Sequence, residues 1–165
     1  MTEVKLIWAQ TNNGTIALEQ AIPWHQSTDM RFFKKATLHQ VVVMGRHTMA
    51  SLHGRPLPDR LNLVLTHDEQ LTLPAGFERI MQPEEALKRA QALGCDLAVI
   101  GGKAIYETYL PLADHLYVTY LDTDFNGDTH MAPVDKTQWL GRELAHGSKD
   151  RHNDYAYQIM DYQRR

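Results

Sequence analysis

The sequence predicts an α/β domain: a central, mostly parallel sheet of about eight strands with an antiparallel C-terminal edge, flanked by about four helices. Three observations lead there. Short apolar runs such as VVVM and LAVI recur without alternation, the pattern of strands buried on both faces. Helical patterns fall between successive runs for about two-thirds of the chain. The final segment contains alternating strand patterns and no helix. With 165 residues and 43% hydrophobic content, residues 1–165 are expected to form a single domain with a sizeable core.

The elements follow in order. VKLIWA at 4–9 reads as a buried strand, and TNNGT at 11–15 is turn chemistry. A helix is expected over about 28–37, with Ser27 or Thr28 as its N-cap. QVVVM at 40–44 is a strand; Gly45 ends it, and RHTMASL at 46–52 forms a short helix. LNLVLT at 61–66 and FERI at 77–80 are strands. PEEALKRAQAL at 83–93 starts with proline and acids, so it reads as an amphipathic helix. LAVI at 97–100 is a strand, followed by Gly101-Gly102 and a helix over about 103–109. LYVTYL at 116–121 is a further strand, and 138–146 with 153–163 form an antiparallel pair.

Composition narrows the function classes. A net charge of -3 with scattered basic residues argues against nucleic acid as a partner. The single cysteine, Cys95, excludes an internal disulfide and fits a reducing, cytoplasmic compartment as an inert thiol. No apolar run reaches the ~18 residues of a membrane span, and residues 1–9 do not form a signal peptide. Nine histidines are present, but HxxxH and CxxC are absent, so no metal site is expected.

The chemistry is expected beyond the carboxyl ends of the strands, where such sheets bind ligands. Gly45 and Gly101-Gly102 each join an apolar strand to a helix, which presents free N–H groups to an anion. Two such turns suit separated phosphates, as in a dinucleotide. Arg46 adds a charged fork, and Thr66 with His67 add a hydroxyl and a possible cation that would suit the extra phosphate of NADP. The usual fingerprints are missing. GxGxxG is absent, and GxxxxGK[ST] fails because Ala104 follows Lys103 and Leu97 stands where the first glycine is needed. Asp29 is the other notable group. Steps of three, four and seven lead from it to Phe32, Phe33 and Ala36, so a carboxylate heads an apolar stripe. It either complements the helix dipole or faces a pocket and awaits a cationic or amidine-like partner.

The stretches IPWHQSTDMRFFKKAT, VVVMGRHTMASL, GRPLPDRLNLVLT, LAVIGGKAIY, LYVTYLDTDF and GDTHM, in this order and spacing, closely resemble dihydrofolate reductase of bacterial type. The resemblance implies NADPH-dependent reduction of 7,8-dihydrofolate to 5,6,7,8-tetrahydrofolate, by hydride transfer to C6 and protonation at N5. It implies a role in one-carbon metabolism and binding of antifolates. It assigns Asp29 to the pterin, accepting from the 2-amino group and N3, supported by the Thr119 hydroxyl and by a water that Trp24 holds. Ile7, Met30, Phe33, Leu52, Leu57 and Ile100 become substrate contacts, and Arg60 pairs with the substrate's α-carboxylate. On the cofactor side it places Ala9, Ile16 and Ile22 near the nicotinamide or pterin. Gly45, Arg46, His47, Thr48, Thr66 and His67 serve the phosphate and adenosine side. Ile100, Gly101, Gly102, Lys103, Ala104, Ile105 and Tyr106 serve the pyrophosphate and nicotinamide side, with Gly101-Gly102 as a cis peptide. The 11–24 segment would close over the nicotinamide, buttressed by Gly127-Asp128. A monomer is implied as well.

The chain departs from the family pattern in places. Ala17 stands where glycine is common, which would stiffen the closing loop or shift its resting state. HQST replaces a leucine-proline helix entry, so Gln26 would loosen contact with the substrate tail. Lys103 and Ala104 replace more glycine-rich versions of their turn. Two rival readings share the anion sites: a related NADPH-dependent pyrimidine or pterin reductase, and a non-catalytic nucleotide-binding module. Neither accounts for Trp24, Asp29 and Arg60 together.

Overall fold

A computed structural model describes residues 1–19 and 21–165. Position 20, within the expected closing segment, lies outside the described residues. The elements are β1 (Val4–Thr11), β2 (Thr15–Ala17), α1 (Ser27–Thr37), β3 (Val41–Met44), α2 (Arg46–Ser51), β4 (Leu61–Leu65), β5 (Phe77–Ile80), α3 (Pro83–Leu93), β6 (Leu97–Val99), α4 (Lys103–Tyr109), a 3-10 turn (Leu110–Leu112), β7 (His115–Leu121), β8 (Thr129–His130), β9 (Trp139–Gly147) and β10 (Tyr157–Arg164). Eight strands form one sheet in the order β5-β4-β3-β6-β1-β7-β10-β9, and β2 pairs with β8 separately. By internal contacts the chain divides into one unit of Met1–Leu6 with Ala36–Ala113, and a second of Ile7–Lys35 with Asp114–Arg165.

The first unit is parallel. β3 pairs with β4 and β6, β4 with β5, and the start of β1 with β6, all in parallel. Val41, Val42, Val43 and Met44 are fully excluded from solvent, as continuous apolar strands between covered faces should be. α3 begins as its sequence dictates. Pro83 occupies the first turn, Gln82 and Glu85 form a reciprocal capping box, and Gly94 ends the helix. Those backbone N–H bonds, at Gln82 first and Met81 second, hold the exposed Glu85 carboxyl below the usual carboxylate range.

The second unit is antiparallel. β10 pairs with both β7 and β9 in that sense. α1 meets β7 through alternate residues of the strand, which share one face: Tyr117 stands edge-on to Phe32 with ring centroids 5.7 Å apart, and Thr119 bonds to Asp29.

Three local expectations change. Neither Ser27 nor Thr28 caps α1, since both lie in its first turn. The free N–H groups there are taken from far along the chain, Ser27 by the His152 carbonyl at 2.9 Å and Thr28 by Asn153 Oδ1 at 3.1 Å. β10 starts at Tyr157 rather than 153, because Asp150 Oδ1 accepts the N–H groups of His152 and Asn153 at 2.8 and 2.9 Å and closes a turn. Within the expected closing segment, Thr15–Ala17 is a strand paired with Thr129–His130.

Candidate active site

The second unit's candidate centre is Asp29. It sits in the first turn of α1, and its Oδ1 accepts the Thr119 hydroxyl at 2.6 Å across 90 residues of sequence. Thr119 is 1% exposed. Burial pushes the Asp29 carboxyl up, and the Thr119 hydroxyl draws it part of the way back. Among the described residues, no cation pairs with this carboxylate. Half-buried and met by one neutral donor among the described residues, this carboxylate keeps acceptor capacity for further donors. Trp24 is half-buried five residues earlier. Ile7 is buried on β1, Phe33 is half-buried, and Met30 is 63% exposed.

The segment entering α1 is clamped. Gln26 is 2% exposed; its side chain donates to the Tyr155 carbonyl at 3.2 Å and accepts from the Tyr155 N–H at 2.7 Å. Gln26 ties the helix entry to Tyr155. Asn153, 3% exposed, also donates to Thr28 Oγ1 at 3.1 Å, and the Asp154 carboxylate accepts the His25 N–H at 2.7 Å. Sequence reasoning missed these residues, because the only local signal was a polar loop more than 120 positions downstream. In the same unit, Ala9 and Ile16 are half-buried and Ile22 is 68% exposed. Asp128 holds the 11–24 segment directly: its N–H donates to the Ala17 carbonyl at 3.1 Å, and its Oδ2 accepts the Glu19 N–H at 2.8 Å.

In the first unit the two glycine turns meet. Gly45 donates its N–H to the Gly101 carbonyl at 2.9 Å. A Cβ at Gly45 would stand 3.0 Å from Ile105 Cγ1. Gly101 has φ +120°, and a Cβ there would come within 3.2 Å of Tyr106 Oη and 3.3 Å of Thr48 Oγ1. Gly101, Gly45, Thr48, Ile105 and Tyr106 thus form one close-packed corner that only glycine admits. The Gly101-Gly102 peptide is cis. Gly102 precedes α4, and open space surrounds its Cα on the side where a Cβ would point. Arg46, His47 and Lys103 are exposed at the starts of α2 and α4, as is Ala104, while Ile100 is half-buried after β6. Thr66 is 9% exposed, and His67 is exposed beside it.

Two arginines have acquired partners. Arg60 donates to the Pro58 carbonyl at 2.8 Å and to Thr37 Oγ1 at 2.9 Å, both uncharged; burial lowers its pKa, and Asp59 offsets part of this. Leu57 is fixed nearby, its N–H donating to Asn62 Oδ1 at 2.9 Å, and Leu52 is half-buried after α2. Arg46, exposed at the start of α2, pairs through Nη1 with Asp68 Oδ2 at 3.2 Å.

Comparison with known proteins bears on these two centres. The family model described as dihydrofolate reductase matches residues 3–164. The chain is 39% identical over 162 residues to the dihydrofolate reductase type 3 of Salmonella typhimurium, covering 98% of each chain. It is 32% identical over 171 residues to the dihydrofolate reductase of Bacillus subtilis (strain 168), covering 98% of this chain and 95% of that one. Its structure is similar to that of dihydrofolate reductase from Enterococcus faecalis complexed with NADP(H) and RAB-propyl. The TM-score is 0.90 at 33% identity, with 98% and 96% of the two chains covered.

Proposed function

The chain belongs to the dihydrofolate reductase family, and from that premise we infer how its residues serve the reaction. The enzyme reduces 7,8-dihydrofolate to 5,6,7,8-tetrahydrofolate with NADPH, and so supplies one-carbon metabolism. NADPH, when bound, supplies the hydride for C6 of the pterin. The residues present fit that cofactor. The glycine corner carries two helix starts whose first N–H groups lack helical acceptors, and three exposed cationic or titratable side chains, Arg46, His67 and Lys103, accompany it. Gly45, His47, Thr48, Thr66 and the 100–106 segment complete that cofactor role, with Ala9, Ile16 and Ile22 toward the nicotinamide.

One observation carries the substrate role: Asp29, half-buried, with its carboxyl pushed up by desolvation and, among the described residues, bonded to one neutral hydroxyl. Its carboxylate has acceptor capacity left for a planar two-donor edge, such as the 2-amino group and N3 of a pterin. Held there, its charge raises the basicity of N5, while water brings the proton. Thr119 keeps the carboxylate oriented and ionisable. Trp24 orients a water at the same group. Ile7, Met30, Phe33, Leu52, Leu57 and Ile100 supply apolar contact, and Arg60, pinned by uncharged oxygens, offers its charge to the substrate's α-carboxylate.

We read residues 1–165 as a single, monomeric domain acting in the cytoplasm without a nucleic-acid partner. The net charge of -3 supports the lack of a nucleic-acid partner, and the lone cysteine supports a reducing compartment. Antifolates that present the same two-donor edge should bind as substrate does.

The test follows NADPH absorbance with and without dihydrofolate, for wild type and Asp29→Asn. Oxidation that requires dihydrofolate and collapses in the folded variant supports the reading. A folded wild type without turnover discards it. Full activity in the variant discards the role of Asp29 alone.

A further inference from the structure

This inference rests on the reading of the first unit as the NADPH-binding part and concerns a residue outside the expected set, Asp68. Its turn fixes it on several sides. Its N–H donates to Thr66 Oγ1 at 3.1 Å, its Oδ1 accepts the Gln70 N–H at 3.0 Å, and its carbonyl accepts the Leu71 N–H at 3.2 Å. The Leu71 carbonyl in turn accepts from Arg79 Nη2. With Oδ1 committed to the turn, Oδ2 is the oxygen left to face outward, and it lies 3.2 Å from Arg46 Nη1. A carboxylate is therefore built into the cluster of Arg46, Thr66 and His67, whose chemistry otherwise favours an anion.

Stability does not explain it. The two side chains are 48% and 41% exposed, and pairs this open contribute little to folding. The consequence lies in binding. A phosphate approaching Arg46 has to displace or share its carboxylate partner and meets a like charge, whereas an uncharged ribose hydroxyl meets neither cost. We propose that Asp68 is a specificity-determining residue: by pairing with Arg46 it weakens the hold on the 2′-phosphate and narrows the enzyme's preference for 2′-phosphorylated over unphosphorylated nucleotide.

Calorimetric titration of the full, ligand-free chain with adenosine 2′,5′-bisphosphate and with 5′-AMP tests this without turnover. Asp68→Asn retains an acceptor for Gln70 and removes the charge. It should tighten bisphosphate binding about two- to fivefold, the scale of an exposed charge pair, and leave 5′-AMP unchanged. The gain should shrink as salt rises, and Asp68→Glu should behave as wild type. In an Arg46→Met background, the gain should shrink to what like-charge repulsion alone supplies. Unchanged or weaker bisphosphate binding in Asp68→Asn overturns the proposal. So does an equal gain for both nucleotides, or an undiminished gain without Arg46. A wild type that binds neither nucleotide fails differently, since it removes the nucleotide reading itself.

Discussion

The two units solve opposite electrostatic problems. The second holds one carboxylate partly desolvated, bonded among the described residues to one hydroxyl; the first gathers two helix starts and exposed cations around glycine. A lone buried charge costs stability until a ligand satisfies it. Exposed donors at helix starts cost almost nothing when empty, because water serves them. The difference teaches where the fold must be rigid: Asp29 depends on a hydroxyl 90 residues away, whereas the glycine corner joins two turns, each shaped by its own glycine, through one backbone hydrogen bond from Gly45 to Gly101.

Asp29→Asn breaks the comparison most strongly. It should lower kcat/KM on the order of 100-fold near neutral pH, the scale on which removing one site group acts, as NADPH oxidation will read. Gly101→Ala attacks the other unit. Its φ of +120° and the two close contacts should cost about 2–3 kcal/mol in urea unfolding, much more than a change on an open surface. Thr119→Val sharpens the electrostatic side. Losing the hydroxyl that draws the Asp29 carboxyl down should move the acid limb of the kcat/KM profile to higher pH. It should also cost about 1–2 kcal/mol of stability. Asn153→Ala should cost about 1 kcal/mol, a typical capping value, and raise KM more than it lowers kcat, because it loosens the turn that carries Asp29.

The smallest effect concerns stability and pH. Burial raises the folded carboxyl of Asp29 above its ordinary value of 3.8. The folded chain therefore keeps that proton to higher pH than the unfolded chain. The contribution is fully present below the ordinary value and is lost as pH rises through the raised one. Without ligand, Asp29→Asn should unfold at a higher temperature than wild type near pH 7, and the advantage should shrink toward pH 4. A flat difference across that range would mean that Asp29 is not strained by burial.

Much of this was legible in the residues. The bounds 83–93 and 103–109 for α3 and α4 follow from proline, acids and glycine, which act on their own neighbours. The buried strands announce themselves by unbroken apolar runs. β2 and β8 did not, because two- and three-residue strands exist only through their partner. Nor did the cap of α1, for which the helix itself carries serine and threonine but borrows Asn153 instead. The partner of Arg46 was not legible either, because nothing in its own segment shows that Asp68 closes on it.

The sequence by itself determined the alternation of strands and helices, the glycine turns and a carboxylate at the head of an apolar stripe. These rest on local conformational preference and on the period with which apolar residues recur. Only the tertiary structure decided that Thr119 meets Asp29, that Gln26 and Asn153 hold the helix entry, and that the two glycine turns close on each other through Gly45 and Gly101. A polar group's energy depends on its partner and on its distance from water, and both are fixed only when residues remote in sequence come together.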